Sequence, residues 1–388
     1  MIGKNKKILY IITKSNFGGA QKYVFELAEE TVKKTTSIKV IAGGNGTLIK
    51  KLKEIGIEFI PVPYLSRDIN FISDFKSLRQ LLRIFNEEKP DIIHLNSSKV
   101  GFIGSIAGII YNLKHLKNKA KIIFTIHGWA FNERRNWFSK LFFKFIYYLI
   151  ISTSHKTIAV SNATAKQLKD IPFGFLLKKK VIIIKNEIRK VKFIDGSLAR
   201  NFIRKEIEKS NPRQKIRPNT TIIGSLAELH EIKGISYLIA AAERLIKKEI
   251  VQDVVFVIFG TGEIKTKLQN EITKRGLEKN FFLLGFIPEA SIYLKGFDLY
   301  ICSSLSEGLS LVLLETKQAR IPIIATNVGG NSEILEKYPK RILIQEKSSR
   351  AIYDSIRFML SQKFKETKVE KNDFQEMIEA TQKIYGLD

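Results

Sequence analysis

The stretch LYICSSLSEGLSLVLLE, residues 299–315, reads as an apolar strand, a turn rich in serine and glycine, and a helix. Leu299–Cys302 is a short apolar run bounded by the turn residues Ser303, Ser304, Ser306 and Gly308, as expected of a strand buried on both faces. Strand, glycine turn and helix in that order make half of a βαβ unit, so the segment predicts an α/β fold with parallel strands.

Runs of the same kind recur in two series. Ile8–Ile12, Ile38–Ala42, Ile92–Leu95, Ile122–Ile126, Thr157–Val160 and Val181–Ile184 form the first. Thr221–Gly224, Val254–Phe259, Phe281–Leu284, Leu299–Cys302 and Ile321–Ala325 form the second, with Arg341–Ile344 as a last edge strand. Between them, residues 187–219 are rich in charge, carry Pro212 and Pro218, and hold a short helical pattern over Ser197–Lys209, which marks a domain boundary. The division this predicts is a first domain over residues 1–190, a second over 191–370, and a closing helix over 371–388 that can return to the first. A chain of 388 residues suits two domains, and 44% hydrophobic residues suffice for their cores.

Cys302 is the only cysteine, so no disulfide framework is possible, which fits a reducing compartment. In its apolar run it reads as a small buried side chain. Ile8–Ile12 is too brief for a signal-peptide core and reads as a buried strand, so a cytoplasmic setting is expected. Val100–Leu113, the longest uncharged stretch, falls short of the roughly 20 residues a membrane-spanning helix needs and reads as a buried helix.

The formal charge is +27, unevenly placed: residues 1–190 carry 34 Lys and Arg against 13 Asp and Glu, and residues 191–388 carry 31 against 25. A first half this basic attracts anionic lipid headgroups, an acidic acceptor or nucleic acid. Lysine decoration of a solvated surface explains part of the excess. No base-reading or RNA-binding signature accompanies it, so nucleic acid is not expected.

Two helices stand out. Tyr23–Val32 follows Gly18-Gly19 directly after the first strand, a glycine turn feeding a helix start that suits phosphate. Trp137–Ile151 is loaded with aromatics interleaved with Lys140 and Lys144, which fits either a helix lying on a membrane surface or one packed on the sheet.

Around the 299–315 turn, Glu307 and Glu315 stand eight residues apart. With a helix beginning near Gly308, its free amides face the loop mouth, where a diphosphate fits. A carboxylate beside phosphates is repelled, so Glu307 is better suited to sugar hydroxyls and Glu315 to ribose hydroxyls. Taken singly, either glutamate is also explained as a solvated charge near a helix start.

Glu307-x7-Glu315, preceded by Cys302-Ser303-Ser304 and followed by Pro322, Gly329-Gly330 and Glu333-Ile334, resembles the donor-domain signature of retaining family 4 glycosyltransferases. Similar family stretches follow in order: Gly18-Gly19-Ala20, Asp91-Ile92-Ile93-His94, Thr125-Ile126-His127-Gly128, Ala159-Val160-Ser161, Lys185-Asn186, Gly224-Ser225-Leu226 with Lys233-Gly234, and Gly260-Thr261-Gly262-Glu263. The resemblance implies the GT-B fold, two Rossmann-like domains with parallel sheets facing across a cleft. It implies that Lys233 binds the donor diphosphate, that His127 contacts the transferred sugar, and that Glu307 and Glu315 hold sugar and ribose. Gly308, Leu309, Ser310 and Leu311 would supply amides, and Gly285-Phe286-Ile287 the nucleobase site. Asn96, Ser97, Ser98 and Lys99 are acceptor-side candidates by position.

The chain departs from the family in places. Ser225 stands where many members have an arginine that helps neutralise the diphosphate. The segment from Ser225 to Lys233 is longer than usual, with Glu228, His230 and Glu231 inserted, and His230 is the candidate replacement for the missing charge. Glu187 stands where Asn-Gly is usual.

The resemblance further implies retention of anomeric configuration by front-face attack, with the departing phosphate taking the acceptor proton. No Asp-x-Asp motif occurs and no His/Cys cluster has ligand spacing, so no metal and no cofactor are expected. The expected partners are a nucleoside-diphosphate sugar, a lipid-linked or glycan acceptor and an anionic membrane surface. A nucleotide-sugar epimerase of the same architecture and a non-catalytic polyanion-binding protein are the alternatives.

Overall fold

The computed structural model describes residues 6–35, 37–133, 135–212, 215–248, 253–364 and 373–387. Two units emerge, one of Met1–Glu187 with Asp373–Asp388 and one of Ile188–Asn372.

The first unit alternates strand and helix: β1 (Ile8–Lys14), α1 (Gly19–Thr31), β2 (Ile38–Gly43), α2 (Thr47–Glu54), β3 (Glu58–Pro61), α3 (Phe71–Glu88), β4 (Ile92–Leu95), α4 (Ser98–Lys114), β5 (Lys121–Ile126), α5 (Trp137–Thr153), β6 (Lys156–Ala159), α6 (Asn162–Lys166) and β7 (Val181–Ile183). The seven strands are parallel in the order β3-β2-β1-β4-β5-β6-β7. Successive residues of β1 serve opposite faces. Leu9 and Ile11 pack with α3, α4 and α5, while Ile8, Tyr10 and Ile12 pack with α1 and α2. That double burial is why the strands are apolar throughout. The edge strand β3 escaped the sequence reading because its four residues are only half-buried or exposed and end on Pro61.

The second unit repeats the plan: α7 (Gly196–Ser210), β8 (Thr221–Leu226), α8 (Ile235–Lys247), β9 (Val254–Phe259), α9 (Lys265–Lys274), β10 (Phe281–Leu283), β11 (Leu299–Cys302), α10 (Leu311–Ala319), β12 (Ile323–Thr326), α11 (Asn331–Leu335), β13 (Arg341–Ile344) and α12 (Ser349–Ser361). Its six parallel strands run β10-β9-β8-β11-β12-β13. In both sheets the strand order reverses beside the first strand, between β1 and β4 and between β8 and β11. In open α/β sheets the crevice beyond the strand ends at such a reversal is where ligands bind.

A closing helix, α13 (Phe374–Tyr385), packs in the first unit, where Phe374, Met377, Ile378 and Tyr385 join the core that holds Ile8 and Tyr10. Its end is also held by polar contacts. Tyr385 Oη lies 2.6 Å from His94 Nδ1, and Lys6 Nζ donates to the carbonyls of Tyr385 and Gly386 at 2.6 and 2.7 Å. Glu187, where the chain leaves the first unit, donates its N–H to Met377 Sδ at 3.3 Å. Among the described residues, no helix is long and apolar enough to cross a membrane.

Candidate functional site

In the second unit the crevice between β8 and β11 collects the residues that the 299–315 motif singles out. Lys233 Nζ lies 2.5 Å from Glu307 Oε1, and Ser304 Oγ donates to the same oxygen at 2.7 Å. Ser303 Oγ donates to the Lys233 carbonyl at 2.9 Å, and the Leu305 N–H to the Ile232 carbonyl at 2.7 Å. The serines of Cys302-Ser303-Ser304 thus lock lysine and glutamate to one loop, a role the sequence reading did not assign them. Burial by itself would lower the Lys233 pKa; the charge and hydrogen bond of Glu307 outweigh it, and the pKa is raised. Cys302 is buried, and burial first, then the Glu307 charge, raises its thiol pKa.

Two glycines clamp this loop. Gly234 at φ +63° and Gly329 at φ +53° adopt the left-handed conformation that glycine alone takes without strain. A Cβ on Gly234 would lie 2.2 Å from the Ser303 carbonyl oxygen, and one on Gly329 would lie 1.9 Å from that of Glu307. The Gly330 N–H donates to the Gly308 carbonyl at 2.9 Å, completing the contact from the β12 side.

The helix after the turn starts later than expected, at Leu311 rather than near Gly308, with Ser310 as its N-cap. Gly308 and Leu309 therefore belong to the loop, and the orphan amides of the helix start belong to Leu311 and its followers. Glu315 is buried in α10 and, after burial and Cys302, helps raise the pKa of Tyr300, the β11 tyrosine whose Oη lies 3.3 Å from the Leu226 carbonyl oxygen. Ser225 is buried at the end of β8.

Gly260 and Gly262 pack against backbone: Cβ atoms there would lie 1.9 Å from the Ala227 carbonyl oxygen and 2.4 Å from that of Leu229. They let the loops after β8 and β9 zip together through Leu229 N–H to Thr261 C=O at 3.0 Å. Gly260 N–H reaches the Gly285 carbonyl at 2.7 Å, which sets the next loop, where Phe286 is exposed and Ile287 half-buried. His230, the candidate for the missing charge, sits between two carboxylates. Its Nε2 lies 3.1 Å from Glu228 and its Nδ1 2.8 Å from Glu263, so both ring nitrogens face carboxylates.

In the first unit, Gly18 caps α1 and its N–H donates to the Gln21 side chain at 3.2 Å, with Gly19 opening the helix. His127 follows β5 and packs edge-on against the Tyr23 ring, with centroids 4.9 Å apart. Its Nε2 is shielded from solvent and has no hydrogen-bond partner. Burial pushes its pKa down to about 3, so the ring is neutral at pH 7.

Three of the four acceptor-side candidates are spent on fastening α4. Ser97 Oγ meets Thr13 Oγ1 at 2.5 Å, Ser98 Oγ meets Tyr147 Oη at 2.5 Å, and Lys99 Nζ pairs with Asp74 at 2.6 Å. Asn96 donates to the His94 carbonyl at 3.0 Å, while its Oδ1 is buried without a partner.

Comparisons with known proteins identify the family. The family model described as Glycosyl transferases group 1 matches residues 206–376, and that of Glycosyltransferase Family 4 matches residues 17–186. The chain is 28% identical over 344 residues, 87% of its length and 84% of the relative's, to the UDP-Gal:alpha-D-GlcNAc-diphosphoundecaprenol alpha-1,3-galactosyltransferase of Escherichia coli. It is 22% identical to the capsular polysaccharide biosynthesis glycosyltransferase CapM of Staphylococcus aureus, over 92% of this chain and 88% of that one. Its fold superposes on HepE of Anabaena, solved with UDP and glucose, with TM-score 0.73 at 18% identity, covering 98% of this chain and 95% of the other. Two family models in tandem, a paired sheet architecture and a Lys233–Glu307 cluster at the strand reversal lead to one assignment: the chain belongs to the family 4 glycosyltransferases and has the GT-B fold.

Proposed function

We propose that this enzyme moves a hexose or N-acetylhexosamine from a nucleoside-diphosphate sugar to a lipid-linked or polysaccharide acceptor in cell-envelope polysaccharide synthesis. The observation that carries the reading is the Lys233–Glu307–Ser304 cluster, which sets a cation and a hydroxyl-binding carboxylate side by side. Breaking the anomeric bond leaves negative charge on the diphosphate, which Lys233 and the start of α10 stabilise. Glu307 holds the sugar hydroxyls and Glu315 the ribose. His127 contacts the sugar, as its match to the family's histidine implies. Lys233 takes the charge-neutralising role without a metal, and the configuration is retained, the departing phosphate accepting the acceptor proton. The Escherichia coli relative takes UDP-galactose and a diphosphoundecaprenol-linked acceptor by name, so UDP-hexoses are the first donors to test. On this reading the enzyme works at the inner face of the cytoplasmic membrane, where its basic first half meets anionic headgroups.

A thermal-shift screen across UDP-, GDP- and TDP-hexoses tests the donor. One base class should stabilise the wild type, Lys233→Ala should abolish the shift, and EDTA should leave transfer unchanged. A wild type that no nucleotide sugar stabilises would refute the reading.

A further inference from the structure

Four carboxylates lie on the loops around Lys233. Glu228 and Glu231 belong to the longer segment between β8 and Lys233, Glu263 to the loop after β9, and Glu307 to the turn before α10. β8 itself, Thr221–Leu226, brings no cation. An anion with two charges can enter such a place only where these carboxylates are compensated. Two of them have lysines: Lys233 Nζ pairs with Glu307, and Lys267 Nζ, on α9, pairs with Glu231, each at 2.5 Å. The other two share His230, whose Nε2 lies 3.1 Å from Glu228 Oε1 and whose Nδ1 lies 2.8 Å from Glu263 Oε1.

An ionised carboxylate only accepts, so both ring nitrogens must carry a proton for both contacts to be hydrogen bonds. The neutral ring turns a lone pair toward one carboxylate and loses that contact. One proton therefore completes the bridge and offsets carboxylate charge at the same time. The backbone sets the ring where this matters. Leu229 N–H donates to the Thr261 carbonyl at 3.0 Å and Ile264 N–H to the Leu229 carbonyl at 3.2 Å, so the loops after β8 and β9 already meet next to the ring. Lys233 N–H donates to the His230 carbonyl at 2.9 Å, which makes His230 the anchor of the turn that presents the lysine. Against the lowering effect of burial, the charges of Glu307, Cys302 and Glu228 raise the Lys233 pKa, so Glu228 already acts on the lysine that the diphosphate is to meet.

We infer that His230 is a proton-operated positioning residue of the donor site: protonated, it bridges Glu228 and Glu263, joins the two loops and leaves Lys233 to the diphosphate; neutral, it releases Glu228, whose charge opposes the donor. Among the described residues, the charged groups about the ring are Glu228, Glu231 and Lys233 on its own segment, Glu263 after β9 and Lys267 on α9. Glu231 is held by Lys267 and Lys233 by Glu307, so the ring proton governs the remaining pair. Donor affinity therefore falls as pH rises. The inference rests on the proposed contact between Lys233 and the diphosphate.

The test is titration calorimetry at pH 6 and pH 8 with the nucleotide sugar that the thermal-shift screen returns, UDP-galactose first; its diphosphate is esterified at both ends and does not titrate between them. Wild type should bind about two- to fivefold more weakly at pH 8, the range of a partly exposed ion pair. His230→Gln, which takes up no proton, should bind weakly at both pH values. His230→Arg, always charged and able to fork to two carboxylates, should bind tightly at both. Glu228→Gln should bind at pH 8 as tightly as wild type does at pH 6. Melting temperatures without ligand report the bridge alone: the gap between wild type and His230→Gln should be present at pH 6 and close by pH 8, because the bridge needs the ring proton. Equal pH dependence in wild type and His230→Arg, a Glu228→Gln variant as weak at pH 8 as wild type, or a melting gap of one size at both pH values overturns the inference and leaves the donor reading standing. A pH-dependent gap in a wild type that binds no nucleotide sugar supports the bridge and refutes the donor reading.

Discussion

Lys233 and Glu307, 74 positions apart, form a 2.5 Å ion pair in which Glu307 is 13% and Lys233 27% exposed. The pair fills the place where a diphosphate and a sugar are proposed to bind, so the ligand must compete with Glu307 for the lysine. Glu307→Ala is expected to lower kcat by about 10²-fold or more while leaving the melting temperature nearly unchanged. Glu307→Gln frees Lys233 and should tighten binding of the bare nucleoside diphosphate by up to about fivefold, since a partly exposed pair contributes about 1 kcal/mol or less. Titration calorimetry of the two variants decides the matter. Weaker diphosphate binding by Glu307→Gln would mean that Lys233 is not the cation the diphosphate meets.

Gly329 and Gly276 separate backbone strain from loop displacement. Both hold positive φ, +53° and +70°, but a Cβ on Gly329 would strike the Glu307 carbonyl, whereas one on Gly276 meets nothing within 4 Å. Gly276→Ala should cost about 1 kcal/mol, the price of the left-handed conformation, and leave turnover unchanged. Gly329→Ala should cost about 2–3 kcal/mol and lower kcat as well, because the Glu307 loop has to move. Chemical denaturation and steady-state kinetics on the two variants read this out; equal effects would show that the clamp does not position Glu307.

The strands were legible because each is apolar on both faces, and the one that escaped, β3, is an edge strand without that mark. The Glu307 and Lys233 assignments were carried by motif order along the chain. What sequence could not supply was which side chains are already engaged. The two carboxylates on His230, the Tyr147 hydroxyl on Ser98 and the Asp74 carboxylate on Lys99 are tertiary contacts with no local signature. Trp137–Ile151 invited two readings, a helix on a membrane surface and a helix packed on the sheet; the end that carries Ile146, Tyr147, Ile150 and Ile151 is packed, and the other end is exposed.

Acid should destabilise the first unit through two histidines. Burial lowers the pKa of His94 to about 3, with a smaller contribution from His127, and burial lowers that of His127 to about 3 as well. Unfolding returns both to about 6.5, so the unfolded state binds more protons between these values and stability falls as pH drops. It is intact above about pH 6.5, and by pH 5 each ring should cost about 2 kcal/mol. His127→Asn should flatten the decline of melting temperature from pH 7 to pH 5 relative to wild type. Parallel curves for the two proteins would contradict the assignment.

Tyr385 and His94 test whether the closing helix is fastened by chemistry or by packing alone. The His94 ring is fully buried, with Nδ1 2.6 Å from Tyr385 Oη and Nε2 2.7 Å from Thr125 Oγ1. A neutral imidazole has one donor and one acceptor nitrogen, so removing either hydroxyl strands a buried polar atom at about 1–3 kcal/mol. Tyr385→Phe keeps the ring among its apolar neighbours and deletes only the hydroxyl, which bonds His94 and Tyr10, so its cost isolates the polar latch. Thr125→Val removes the hydroxyl that meets the other nitrogen and also bonds Tyr23. Because both act through one tautomer, the two losses should be non-additive in a double-mutant cycle, with a coupling of about 0.5 kcal/mol or more. Hydrogen exchange locates the effect: in Tyr385→Phe, amides of α13 should lose protection while those of β8 and β11 in the other unit keep theirs. Additive losses and unchanged exchange in α13 would show that its apolar contacts alone hold it.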